Sequence, residues 1–104
     1  MSNTKLNRDE KEYLRELKTA QDVKGGELFF YPDIGFTVAV LPAGDVCRVA
    51  TYVSSPLEQK FRRKVGAFNA LCRLMDDEFI LIPLPDGFHN WAEQFAQLCA
   101  EYQA

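Results

Sequence analysis

The residues best suited to chemistry are cations. Lys60, Arg62, Arg63 and Arg73 stand with Gly66 and Asn69 inside the stretch SSPLEQKFRRKVGAFNALCRLMDDE, and positions 62, 66, 69 and 73 share one line if that stretch is helical. Guanidinium groups offer paired donors to carboxylates or phosphates, Asn69 adds a neutral polar contact, and Gly66 would let a backbone or phosphate approach closely. The chemistry implied is recognition of an anion or of a partner. The same pattern also fits a solvated helix exterior, with Arg73 answering Asp76 or Asp77.

Bond-making chemistry finds less material. His89 is the single histidine, and Cys47, Cys72 and Cys99 are widely spaced in apolar patterns without a Cys-x-x-Cys pair. A Cys-His nucleophile pair would need one of these thiols delivered to His89, whereas their neighbours mark them as reduced core residues. No glycine-rich phosphate loop, nucleophile elbow or metal signature is present. The adjacent acids of "MDDEF" lack the ligand count of a calcium loop and serve best to solubilise a turn. The expectation is a non-enzymatic protein with no cofactor and no metal.

Charge is segregated along the 104 residues. From Glu58 to Met75 five cations face one acid, net +4, whereas from Asp76 onward there are six acids and no Lys or Arg, net −6. The net charge of −3 argues against a general polyanion binder. The longest apolar runs fall far short of the roughly 20 residues a bilayer needs, and the first residues carry no apolar signal core. The expectation is a cytoplasmic protein with no membrane contact.

The elements that must position these groups are legible in outline. "NRDEKEYLRELKTA" carries Leu6, Tyr13, Leu14, Leu17 and Ala20 at helical spacing, with Asn7 and Glu10 placed as a cap and Gly25-Gly26 as a stop. Three strand-like runs follow, "ELFFYP", "FTVAVLP" and "VCRVATYV", separated by the turn signals "PDIG" and "PAGD", and Pro32 puts the first at a strand end or an edge. Ser55, Pro56 and Glu58 then read as N-cap, N1 and N3 of a second helix. Its buried stripe would be Leu57, Phe61, Val65, Phe68, Cys72 and Met75. "FILIPL" is apolar on both faces and predicts a central or covered strand rather than an edge. A last helix, capped by Asp86, carries Phe88, Trp91, Phe95, Leu98, Cys99 and Tyr102 on one side.

The order α-β-β-β-α-β-α predicts a single α+β domain over residues 1–104, with a mainly antiparallel four-stranded sheet and helices packed against it. The last helix has more large apolar groups than a thin sheet obviously needs, so Phe88, Trp91, Phe95 and Tyr102 could form a two-fold interface, although core packing accounts for them too.

The segment carrying Phe61, Arg63, Lys64, Gly66 and Arg73-Leu74, about a fifth of the chain, resembles a strand-to-helix passage of small uncharacterised proteins of phages and other mobile elements, which implies no activity. The element order with an acidic pI is similar, at the level of fold, to type III secretion chaperones, dimers that hold partner segments on their sheet and helices. Two functions are therefore expected in turn. One is an adaptor-like or chaperone-like protein-interaction module that forms a homodimer. The other is a nucleic-acid binder that uses the basic face from Lys60 to Arg73.

Overall fold

Helix α1 spans Arg8–Val23. Asn7 Oδ1 accepts from Glu10 N–H at 2.8 Å while Glu10 Oε1 accepts from Asn7 N–H at 2.9 Å, so the expected capping box is formed. At the other end Gly25 adopts φ 79°, Gly25 N–H donates to Asp22 O at 3.1 Å and Gly26 N–H to Gln21 O at 2.8 Å. This is a Schellman closure. Gln21 is 5% exposed and donates Nε2 to Glu27 O at 3.1 Å, and a Cβ at position 26 would collide with its Cγ, so Gly26 is there for close approach.

The computed structural model describes residues 6–54, 62–84 and 86–103, the side chains of His89 and Gln103 excepted. Strands β1 (Glu27–Tyr31), β2 (Phe36–Ala43), β3 (Val46–Val53) and β4 (Ile80–Pro83) pair antiparallel in the order β1-β2-β3-β4. Pro32 ends β1, which is an edge, and opens a 3-10 turn over Pro32–Ile34 closed by Gly35 at φ 63°. Helices α2 (Arg63–Met75) and α3 (Phe88–Gln103) complete an α+β domain in the expected order. No helix among the described residues is long and apolar enough to cross a membrane.

Over β2 and β3 both faces of the sheet are buried. Phe36, Val38, Val40, Cys47 and Val49 point to α3, where they meet Ala92, Ala96 and Ala100. The alternate residues Ala39 and Ala50 point to the other side, under Leu14 and Leu17 of α1 and Val65, Ala67, Ala70, Leu71 and Leu74 of α2. Three layers result, with the sheet in the middle.

Four expectations are corrected. Arg62 is extended (φ −123°, ψ 118°), so α2 starts at Arg63 rather than running unbroken from Ser55. The capping residues Ser55, Pro56 and Glu58, with Leu57, Lys60 and Phe61, lie outside the described residues. Met75 is 61% exposed, because the α2 stripe centres on its small residues and on Leu71 and Leu74. Strand β4 is an edge, not a central strand, with Ile80 57% and Leu81 59% exposed. Finally, Trp91 N–H donates to Gly87 O at 3.0 Å, which makes Gly87 rather than Asp86 the residue at the cap position before α3.

Among the described residues one buried polar side-chain atom has no partner. Thr37 is fully enclosed in β2, and its Oγ1 makes no hydrogen bond. An orphaned hydroxyl costs about 1–3 kcal/mol in desolvation. Thr37→Val keeps the shape and removes the hydroxyl, so it is expected to raise stability by about 1 kcal/mol, read as a higher urea midpoint at constant slope.

Candidate interaction surface

Arg63 and Arg73 are set apart by the fold, while Lys60 lies outside the described residues. Arg63 is exposed, with its guanidinium 5.3 Å from the Phe30 ring of β1, while Arg73 Nη1 donates to Thr51 O of β3 at 2.7 Å and lies 5.6 Å from the Tyr52 ring. Helix α2 thus crosses the sheet from β1 to β3 with an arginine braced on each side. Gly66 is buried, and Asn69 turns its Nδ2 back to Val65 O at 2.8 Å. The line through 62, 66, 69 and 73 is therefore not one open surface. Gly66 adjoins Ala67 in the ridge of small residues that brings α2 close to the core.

The aromatic residues divide similarly. Phe88, Trp91 and Phe95 are partly buried against the α3 face of the sheet, and Trp91 stacks on Phe95 at 5.0 Å with 15° between planes. Of the expected interface residues only Tyr102 stands free, 91% exposed, beside Leu98 at 56%. The thiols have low reactivity, since burial pushes Cys47 up to about 11 and raises Cys72 and Cys99 above the usual value. Among the described residues no three His, Cys, Asp or Glu side chains gather as a metal would require.

What the fold does assemble is a corner at β4. Leu41, Arg48 and Leu81 are register partners across β2, β3 and β4, so they form one row on the α1–α2 face of the sheet. The row before it, Ala39 and Ala50, is covered, whereas Leu81 is largely open. Arg48 is half-buried at the centre of this row and sits 4.9 Å from the Phe79 ring. No carboxylate among the described residues forms an ion pair with it.

The edge itself is also available. Leu84 N–H donates inward to Asp45 O, so by strand alternation Ile82 and Ile80 also bond inward while Leu81 and Pro83 turn their backbone outward. Proline's missing donor thus falls on the outer side, where it limits but does not abolish pairing. Beyond Ile80 the chain leaves the sheet, and a cleft of about 280 Å³ opens beside β3, lined by Thr51, Arg73, Asp77, Glu78, Ile80 and Cys99 among others. Thr51 shares the outward parity of Val49, which explains why its carbonyl is taken by Arg73 rather than by a strand.

Sequence reading missed Arg48 because it sits alone in an alternating strand. The signal for the corner was the run "FILIPL", apolar on both faces although its strand has only one neighbour. No protein-family model, curated protein or solved structure gives a significant match to the chain.

Proposed function

We propose that the chain is a non-catalytic protein-interaction module, adaptor-like or chaperone-like and cytoplasmic, that receives its partner at the β4 corner. The observation that carries this reading is the exposed apolar edge strand. Ile80 and Leu81 are more than half open to solvent on a strand with unpaired outward backbone, an arrangement that folded proteins otherwise blunt with charge or cover. A nucleic-acid role for the basic helix has less support, because Arg63 and Arg73 lean on the sheet and Gly66 is buried.

Leu81→Glu tests the reading with little risk to the fold, since an exposed position changes stability by only about ±0.5 kcal/mol. Wild type and variant, both tagged and shown to melt alike, are compared by quantitative capture and mass spectrometry from the cells that make the protein. A partner held by the wild type and reduced at least ~10-fold by Leu81→Glu is the expected result. Equal retention by both would remove the β4 corner as the docking site.

A further inference from the structure

We infer that the occupant of the β4 corner is a second copy of this chain, related by a two-fold axis, with Arg48 of each copy set against the acidic turn before β4 of the other. This deepens the docking reading above and rests on it. The corner carries both halves of a charge-complementary contact, kept apart within one molecule. Arg48 stacks on the Phe79 ring without a carboxylate partner among the described residues. Asp77 and Glu78 immediately precede Phe79, are exposed, and form no ion pair among the described residues.

Arg48 packs on the Phe79 ring, and it is not among the residues that line the cleft holding Asp77 and Glu78. Arg48 stands over the face of the sheet, in the row of Leu41 and Leu81, whereas Asp77 and Glu78 line the cleft beside Thr51, where Arg73 is already engaged by the Thr51 carbonyl and leaves the two acids in excess. A surface with a cation on one side and anions on the other is self-complementary under a two-fold rotation, since each cation is carried onto the partner's anions. The apolar ground between them, Leu81 and Phe79, supplies area without charge. A half-buried Arg with no carboxylate beside it among the described residues gains from association that brings one to it.

The backbone of the acidic turn points the same way. Helix α2 ends with Asp77 at φ 61° and Glu78 N–H on Arg73 O at 3.0 Å, a Schellman closure in which glycine is the favoured residue. Asp77 occupies that position at a conformational cost. Asp77→Gly is therefore expected to raise the melting temperature while weakening the dimer, two shifts of opposite sign that a merely structural residue would not give.

The test is sedimentation equilibrium of the full chain from micromolar to millimolar concentration at low salt. The wild type is expected to show a monomer–dimer equilibrium, with the dissociation constant raised at least ~10-fold by Arg48→Glu and equally by the double change Asp77→Arg and Glu78→Arg. Each reversed chain alone sets like charges against each other at both contacts. Mixed one to one, the two reversed chains restore opposite charges at both contacts, and dimer affinity returns to near the wild-type value. A wild type that stays monomeric at millimolar concentration overturns the inference, as does a dimer indifferent to Arg48→Glu or a mixture that fails to reassociate. A monomeric wild type that still loses a captured partner through Leu81→Glu would leave the docking reading standing and remove only the second copy.

Discussion

Phe36→Ala is expected to lower folding stability by about 3–5 kcal/mol, the cost of deleting a buried aromatic and leaving its cavity. Phe36 is 1% exposed at the start of β2, in register with Tyr31 on one side and Val53 on the other. Its ring lies 6.3 Å from that of Tyr31, and it belongs to the cluster under α3. The site has little freedom to collapse, because Gly35 is fixed at φ 63° and Ser54 N–H donates to Gly35 O at 2.8 Å. Against the 5–15 kcal/mol typical of a domain, such a loss brings the chain near unfolding. Urea unfolding followed by the fluorescence of Trp91, the single tryptophan, measures it, and Phe36→Leu, costing less, keeps a folded reference. A loss below about 1 kcal/mol for the alanine variant would mean that the α3 face of the sheet is not a packed core.

Local chemistry made the first half of the fold legible. The Asn7 and Glu10 cap, the Gly25-Gly26 stop and the Gly35 turn are contacts within a few residues, and each is formed where the sequence places it. Alternation in β2 and β3 likewise sorts Phe36, Val38, Val40, Cys47 and Val49 onto one face. The order of the strands is not encoded in that pattern. A run apolar on both sides says that something covers it, without saying whether the cover is this chain, so "FILIPL" could be taken for a central strand while β4 is an edge.

The candidate site was less legible, for a related reason. Helical spacing aligned Arg62, Gly66, Asn69 and Arg73, but spacing carries no information about which side of a helix meets the sheet when small residues make the contact. Gly66, Ala67 and Ala70 face inward and Met75 faces outward, the reverse of a ranking by size. Arg48 became a candidate only through register. Its neighbours Leu41 and Leu81 are seven and 33 positions away in the chain and adjacent in the sheet.

The same preference for small residues gives the second large effect, in α3. Ala92, Ala96 and Ala100 recur at every fourth position and are 0%, 0% and 7% exposed, so their methyl groups form the ridge on which the helix approaches the sheet. The aromatics Phe88, Trp91 and Phe95 flank that ridge, each only partly buried. Ala96→Leu would drive an isobutyl group into this contact and is expected to cost about 1–3 kcal/mol through forced rotamers and a displaced helix. Intrinsic helix propensity cannot explain such a loss, since leucine forms helix nearly as well as alanine. Leu98→Ala on the open side of the same helix is the control, with a change within about ±0.5 kcal/mol. Trp91 reports the cause directly. It is partly buried against the same cluster as Ala92 and Ala96, so Ala96→Leu should shift its emission to longer wavelength as the helix lifts and solvent enters, whereas Leu98→Ala should not. If Ala96→Leu were as stable as the wild type with unshifted emission, the alanine ridge would not be the contact that seats α3.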